Sequence, residues 1–499
     1  MNLKEKLSRY MDAGFPLIYL NTFEEDKADA LIRSIAGSRT IIEYSIRGTR
    51  TIQNRSESPL DDNLTNLADA LEIWLTDYDN VRQSIVVLKD AHFFLEVPEV
   101  VARLKYLLQA INAGQADCNV VIISPILKIP RELENFMTIL SLDYLNQAEI
   151  RRLIEHFCRE QNVEEMPDAL LNELSLTFKG LTEFEVRNIL GLALADEGTI
   201  NRSNLDLIFE QKQQVIKKSG ILEMIPLKES LDDIGGLENL KKWLKRKSKV
   251  FKNIDKAESY GVDIPKGVLI AGLPGCGKSL NAKATAKLFN VPLLRLDMGR
   301  LMGKYVGESE ANMRKAIALA DAISPCVLWI DELEKAFAGI GSQGGGGDVV
   351  TRLFGTFLTW LQEKDSLTFV VATANDITKM PPELLRKGRF DEIFYVGLPK
   401  PDERKKIFEI HIRKRRKNDL DKINLSQLVQ LTDGYSGSDI EGVVRDGVEE
   451  AFSNDKNAVT TDDIIKAIKN THSLSEIMKE SLANMQKLYT ERKFKNASE

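Results

Sequence analysis

Short apolar runs alternate with helical periods along the first part of the chain. Such runs stand at "PLIYLN" (16–21), "SIVVLKD" (84–90) and "NVVIIS" (119–124), and "VPEVVARLKYLLQAIN" (97–112) repeats its apolar residues at helical spacing. Buried strands that alternate with helices indicate a parallel sheet in an α/β domain. Only helical patterns follow, so we expect an α/β domain over 1–145 and a helical, lid-like region over 146–216.

The second part of the chain repeats this order. Its apolar runs are "GVLIAG" (267–272), "PLLRLD" (292–297), "CVLWID" (326–331) and "TFVVATAN" (368–375). Segments 138–157 and 394–412 also resemble each other, since each leads from a short apolar strand into a charged helix. We predict an α/β core over 231–398 and a helical lid over 399–472, with an aperiodic linker at 217–230 and a charged tail at 473–499.

Composition limits the class of protein without naming it. The 499 residues are 43% hydrophobic and 28% charged, which is typical of a globular chain with several domains. The net charge of −6 argues against a surface that coats nucleic acid. We expect no membrane span and no secretory signal, because charged residues interrupt every apolar run. The four cysteines lack metal-ligand spacing, and we expect them reduced in an intracellular, cytoplasmic setting.

The strongest chemical signal is "GLPGCGKS" (272–279), which follows an apolar strand and opens a helix. It fits the phosphate-loop pattern G-x-x-x-x-G-K-[ST]. Glycines let backbone N–H groups surround phosphate oxygens, and the helix N-terminus adds its dipole. Lys278 is expected to reach the outer phosphates, and the Ser279 hydroxyl to ligate Mg²⁺. The other predicted nucleotide-binding residues here are Pro274, Gly275, Cys276, Gly277 and Leu280.

Two acids end the strand "CVLWIDE" (326–332). Asp331 is expected to hold Mg²⁺, and Glu332 to orient or deprotonate the attacking water, which phosphoryl transfer to water requires. The alternative is a buried strand whose acids cap a helix. Asn375, at the end of the next strand, is either a residue that positions the same water or a helix cap. Arg386 and Arg389 are either solvated or act on a phosphate in an adjacent subunit.

The ordered motifs resemble those of the AAA+ ATPases, specifically the subgroup with a second region of homology. They cover about residues 231–470 and read "LDDIGGLENLK", "GLPGCGKS", "GKYVGESE", "LWIDE", "TAND", "LLRKGRFD" and "GYSGSDI". The two halves, joined by "SGILEM", and the segment "FGTFLTWLQEK" are similar to the conserved open-reading-frame ATPases of plastids and cyanobacteria. That narrower resemblance makes the plastid stroma an alternative location.

The resemblance implies further roles. Asp233, Ile234 and Gly235 would line the adenine pocket, and Asn375 would be sensor 1. Arg386 and Arg389 would be arginine fingers that reach the neighbour's γ-phosphate. The remaining implied nucleotide contacts are His411, which could equally be a helix-packed histidine, and Gly437 and Ser438 of the lid.

The loop "LMGKYVGESE" (301–310) has an aromatic residue among glycines. In the resembled family this position faces a central pore, so Lys304, Tyr305 and Val306 would grip a polypeptide. The alternative is a tyrosine docked on its own surface.

The first half departs from the family pattern. Where a phosphate loop would lie it reads "TFEEDKADAL" (22–31), and Glu24, Glu25 and Asp26 would repel phosphate. "VVLKDAH" keeps Asp90 but places Ala91 where we expect a catalytic Glu. The predicted fold is therefore two P-loop-type α/β domains with parallel sheets, each followed by a helical lid, the first lacking its site.

Three functions remain open from the sequence. The first is a ring ATPase, hexameric by resemblance, that uses ATP and Mg²⁺ to remodel a protein client through a pore. The second is an ATPase that handles nucleic acid, which the net charge disfavours. The basic run at 412–417 could serve it, although a solvated helix end explains that run equally. The third is an ATP-gated assembly switch without threading.

Overall fold

The computed structural model describes residues 3–53, 56–142, 144–164, 166–218, 220–301, 308–337, 346–386, 388–477, 489, 491–492 and 494–499. The chain divides into two compact units. The first unit comprises Met1–Leu145 with Thr182–Asn188, and the second comprises Asn146–Leu181 with Ile189–Glu499. No helix in the described ranges combines the length and the apolar character needed to cross a membrane.

The first unit is a twisted sheet covered by helices. Its strands are β1 (Leu17–Asn21), β2 (Thr40–Ser45), β3 (Gly48–Gln53), β4 (Ser56–Glu57), β5 (Ser84–Lys89), β6 (Cys118–Ser124) and β7 (Met137–Ser141). Its helices are α1 (Leu3–Asp12), α2 (Glu25–Ile35), α3 (Leu67–Thr76) and α4 (Pro98–Asn112). Alternate residues of β1 enter two apolar cores, Leu17 and Tyr19 on one face and Ile18 and Leu20 on the other. A strand buried on both faces is the expected form in a parallel sheet.

The second unit begins with helices and then forms its own sheet. Its helices are α5 (Gln147–Glu160), α6 (Asp168–Thr177), α7 (Glu183–Glu197, shared between the units), α8 (Leu205–Lys218), α9 (Glu238–Lys252), α10 (Ile254–Ser259), α11 (Lys278–Phe289), α12 (Met298–Leu301), α13 (Glu308–Ile323), α14 (Gly346–Glu363), α15 (Pro401–Arg416), α16 (Leu425–Leu431), α17 (Gly437–Ser453), α18 (Thr461–Lys469) and α19 (Leu474–Ile477). Its strands are β8 (Leu222–Ile225), β9 (Gly267–Gly272), β10 (Leu293–Leu296), β11 (Cys326–Ile330), β12 (Thr368–Ala374), β13 (Glu392–Val396) and β14 (Lys495–Asn496).

The two sheets share one strand order. In the described residues the first runs β4-β3-β2-β5-β6-β1-β7, and the second runs β14-β13-β9-β12-β11-β10-β8. When the parallel strands are numbered by their order along each unit, five of them occupy the same places in both sheets. These strands are β7-β1-β6-β5-β2 in the first sheet and β13-β9-β12-β11-β10 in the second. The predicted fold class, two parallel α/β sheets with helical lids, is thereby confirmed.

Two predicted segments differ from the structure. The predicted linker at 217–230 contains β8, which pairs antiparallel with β10 and buries Leu222 and Met224. The predicted charged tail ends in β14, which pairs with β13, and Ala497 beyond it is fully buried. Both strands are too short to show a period, and an adjacent sheet edge supplies the hydrogen bonds that hold them.

The turn after α6 contacts the segment that leads into β11. Nζ of Lys179 donates to the carbonyl oxygen of Ser324, and Gly180 packs on Ile323. Both contacts lie just before β11. The helical region at 146–216 therefore groups with the second unit, except for Thr182–Asn188.

Candidate functional site

A cavity of about 460 Å³ lies at the carboxyl ends of β9, β11 and β12. These strands are parallel neighbours, so their ends meet at one edge of the sheet. The structure brings most of the predicted site residues together in its lining: Asp233, Ile234, Gly235, Pro274, Gly275, Cys276, Gly277, Lys278, Ser279, Leu280, Asp331, Glu332, Asn375, Gly437 and Ser438.

The loop between β9 and α11 has the backbone that a phosphate cradle needs. Gly275 and Gly277 have φ values of 71° and 84°, in the left-handed region that favours glycine. A Cβ on Gly275 would also lie 2.9 Å from Oγ of Ser438. Lys278 opens α11, and its Nζ donates to the carbonyl oxygens of Gly272 (3.0 Å) and Leu273 (2.6 Å). Backbone N–H groups at a helix start together with an ammonium fit a polyphosphate.

Two pKa shifts follow from burial in this loop. Burial lowers the pKa of Lys278, although the Cys276, Glu334, Asp331 and Glu332 side chains oppose the shift. Burial raises the pKa of the Cys276 thiol to about 11. The thiol therefore stays neutral near pH 7 and adds no negative charge where phosphates would lie.

Asp331 is held by two hydroxyl groups. Its Oδ1 accepts hydrogen bonds from Oγ of Ser279 at 3.1 Å and from Oγ1 of Thr373 at 2.6 Å. A hydroxyl oxygen beside a carboxylate is the donor set that Mg²⁺ prefers. The predicted pair Ser279 and Asp331 thus fits a magnesium ion.

Glu332 is fixed from its backbone and its side chain. Its φ is 51°, and its N–H donates to Oγ1 of Thr373 at 3.0 Å. Nδ2 of Asn375 donates to Oε1 of Glu332 at 3.0 Å, and Nζ of Lys335 contacts the other carboxylate oxygen. The N–H of Asn375 in turn donates to the buried Glu334. A carboxylate held this way can accept a proton from a water molecule.

The predicted lid contacts the loop between β9 and α11. The N–H of Ser438 donates to the carbonyl oxygen of Gly275 at 2.9 Å. His411 is absent from the cavity lining, but its Nδ1 lies 3.7 Å from Oε1 of Glu441, which does line the cavity. Burial lowers the pKa of His411, so the imidazole is favoured in its neutral form. The lining also includes residues that the sequence did not single out: Thr373, Gly397, Pro399, Ile407 and Glu441.

Arg386 and Arg389 are not part of this cavity. Arg386 is exposed and lines a separate cavity of about 1080 Å³, and among the described residues the two cavities share no lining residue. Arg389 is half-buried, and among the described residues its Nη1 has no hydrogen-bond partner. The predicted loop residues Lys304, Tyr305 and Val306 lie outside the described residues.

The first sheet has different chemistry at the corresponding edge. Asp90 has a φ of 57°, like Glu332. Matching these two residues sets Val87 beside Trp329, and each of them belongs to the apolar core that includes the helix after the first parallel strand, α2 or α11. Asp90 therefore takes the place of Glu332, and Lys89 that of Asp331. The expectation that Ala91 occupies the catalytic position was off by one residue. Nζ of Lys89 lies 2.6 Å from Asp29 and 3.3 Å from Glu43, so an ammonium occupies the place of the metal-binding carboxylate.

Family models match both units. Residues 268–398 match the ATPase family associated with various cellular activities (AAA), and residues 422–466 match an AAA+ lid domain. Residues 3–142 and 148–219 match the N-terminal domain and the second domain of SpoVK-like AAA ATPases.

Individual proteins are similar over nearly the whole chain or over about half of it. The AAA domain-containing protein ycf46 of Guillardia theta is 37% identical over 97% of this chain and 94% of its own length. The ycf46 protein of Pyropia yezoensis is 35% identical over 100% of both chains. The proteasome-activating nucleotidase of Saccharolobus solfataricus is 33% identical over 53% of this chain and 67% of its own length.

Proposed function

The chain belongs to the AAA domain-containing ATPases, and from this premise we propose that it works as a ring of identical subunits that remodels a protein client. It hydrolyses ATP to ADP and phosphate. The resemblance to ring ATPases suggests six subunits. The cytoplasm or the plastid stroma stays our prediction for its location.

The proposed roles of the site residues follow from their contacts. The backbone of 274–277 and Lys278 bind the phosphates, while Ile234 and Gly235 contact the adenine. Ser279 and Asp331 would hold Mg²⁺, which supplies charge neutralisation at the phosphates when bound. Glu332, oriented by Asn375, accepts the proton of the attacking water.

The position of Arg386 is the observation that carries the ring. Arg386 is exposed, and its cavity is lined by Lys266 and Asp391, which stand just before β9 and β13, whereas the nucleotide cavity lies at the other ends of these strands, so Arg386 is not placed to serve the nucleotide of its own chain. A neighbouring subunit would bring its own nucleotide to this arginine, where positive charge stabilises the transition state.

A protein client is supported by the similar proteins rather than by the site. The nucleotidase of Saccharolobus solfataricus is named for activating a proteasome, and its similarity covers 53% of this chain. The low net charge disfavours nucleic acid as the alternative client.

The test uses a chain that binds ATP without hydrolysing it. Glu332→Gln should bind labelled casein, an unfolded model client, in ATP but not in ADP. Adding Tyr305→Ala should abolish this binding, while Tyr305→Ala alone should keep its ATPase rate and its ring on sedimentation. Rings that form in ATP but never engage casein would indicate an assembly switch instead, and salt-sensitive binding of single-stranded DNA would indicate the nucleic-acid alternative.

A further inference from the structure

Exposed apolar side chains collect at the carboxyl edge of the first sheet. Phe23 is 73% exposed and Phe93 is 61% exposed, and both stand in segments that directly follow strands. The full set, here named the carboxyl-edge surface, consists of Phe23, Phe93, Val97, Ile126, Leu127 and Ile129. In the second sheet the same edge holds the nucleotide cavity.

These residues form one surface rather than separate loops. Strands β5, β6 and β1 are consecutive neighbours in the sheet, so the segments after them emerge side by side. The N–H of Thr22 donates to the carbonyl oxygen of Ser124 at 3.0 Å, which joins the segments after β1 and β6. Nζ of Lys128 lies 2.9 Å from Oε1 of Glu96, which joins the segments after β6 and β5.

The backbone beneath the surface is fixed. The carbonyl oxygen of Ile126 accepts hydrogen bonds from the buried Tyr19 hydroxyl and from Oγ of Ser124 at 3.0 Å. The Ile126 side chain is therefore held outward by contacts of its own main chain. Contiguous apolar exposure of this kind marks interaction sites on folded proteins.

The charge around the surface is negative. Glu25 and Asp26 are exposed beside Phe23, while the ion pair with Lys128 offsets the charge of Glu96. Residues 1–145 contain 15 Lys and Arg against 21 Asp and Glu, which accounts for the entire net charge of the chain. Such a field repels phosphates and acidic segments and attracts cationic ones.

We propose that the carboxyl-edge surface binds a polypeptide segment in which apolar side chains are flanked by lysine or arginine. The apolar side chains of the segment cover Phe93 and Ile126, and its cationic groups face Glu25 and Asp26. A parallel α/β sheet binds ligands at this edge, and here acids and apolar groups replace the phosphate loop. The inference rests on the proposed function only in assigning the segment to a client.

The test measures binding to the full chain by fluorescence anisotropy. One labelled peptide carries Leu and Lys at helical spacing, and its matched partner carries Glu at every Lys position. We expect the Lys peptide to bind at least about tenfold more tightly than the Glu peptide, and more weakly as salt rises. Glu332→Gln chains should bind it equally, so the result does not depend on whether the protein remodels clients.

Variants locate the binding site. Phe93→Ser with Ile126→Ser should weaken binding of the Lys peptide by about tenfold or more, and so should Asp26→Lys. Tyr106→Ser and Asp62→Lys change equally exposed residues elsewhere in the first unit and should leave binding unchanged. Unchanged circular dichroism and an unchanged urea unfolding curve show that each variant is folded.

Three results would overturn the proposal. The first is equal affinity for the two peptides. The second is unchanged affinity in the Phe93→Ser, Ile126→Ser chain. The third is a shift of that chain to smaller species on sedimentation, because the surface would then join copies of the protein.

Discussion

Asn375 and Glu332 end neighbouring strands, and Nδ2 of Asn375 donates to Oε1 of Glu332 across 3.0 Å. Nζ of Lys335 contacts the other oxygen of the same carboxylate. The two donors differ in their surroundings, since the side chain of Lys335 is 69% exposed and Asn375 is half-buried at the cavity. An exposed ion pair contributes little, so the amide is the group that orients Glu332.

Asn375→Ala should therefore lower the turnover number by about 10²-fold, the effect expected when a catalytic group is misplaced. Nucleotide affinity should stay near that of the wild type, because the amide does not belong to the phosphate loop. Steady-state hydrolysis and equilibrium binding of a fluorescent ATP analogue measure the two quantities. Lys335→Ala is the matched control and should keep its turnover within about twofold. Wild-type turnover in Asn375→Ala would remove the amide from its proposed role.

Arg386→Ala and Arg389→Ala should leave nucleotide affinity nearly unchanged, because neither residue lines the nucleotide cavity of its own chain. Turnover should fall by about 10³-fold or more if both act as fingers on a neighbour's phosphate. Mixing either variant with Lys278→Ala should restore part of the activity. At some interfaces of the mixed assembly, the arginine variant supplies an intact nucleotide site and the Lys278→Ala chain supplies intact arginines. Mixed assemblies with no more activity than their parts would contradict fingers that act between subunits.

The sequence predicted the parts of the site that a local pattern defines. The phosphate loop and the acids at 331–332 each occupy a short segment between a strand and a helix, so their types and order were readable. Thr373 escaped notice because its role depends on the pairing of β12 with β11, which sets its hydroxyl against Asp331. The sequence offered one sign of this role, because Thr373 stands two residues before the predicted site residue Asn375.

The sheet edges were the least predictable part of the fold. Strand β8 has four residues and β14 has two, so neither carries a period that distinguishes strand from loop. The roles of Lys89 and Asp90 were also hard to predict, although the strand that they end was predicted. Their correspondence to Asp331 and Glu332 depends on backbone conformation, so the sequence pattern alone placed it one position too late.

The chemistry of Lys89 leads to a prediction about binding stoichiometry. With an ammonium where Asp331 stands, and acids at 24–26 in place of a phosphate loop, the first unit should bind no nucleotide. Calorimetry on the full chain should find one ATP for each subunit, and none after Lys278→Ala. Retained binding in the Lys278→Ala chain would mean that the first unit holds a site of its own.

Lys212 supplies a prediction about pH. It is 2% exposed on α8, and its Nζ donates to the carbonyl oxygen of Thr177 at 2.6 Å. Burial lowers the pKa of Lys212 from 10.5 to about 7, with the Cys326 side chain opposing and Lys179 adding to the shift. The unfolded chain keeps the ordinary pKa, so between about pH 8 and pH 10 it binds one proton more than the folded chain. This group should therefore raise the free energy of unfolding with pH, by about 1.4 kcal/mol per pH unit in that window.

Lys212→Met removes the titrating group, so we expect the stability difference between wild type and this variant to change steadily from pH 8 to pH 10, in favour of the wild type at high pH. Urea denaturation at each pH, with the midpoint compared between the two chains, measures it. The slope is the readout, because losing the bond to Thr177 shifts the variant's stability by an amount that does not depend on pH. Lys218→Met, at the exposed end of the same helix, is the control and should parallel the wild type throughout. Parallel curves for Lys212→Met and the wild type would show that Lys212 keeps its charge in the folded protein.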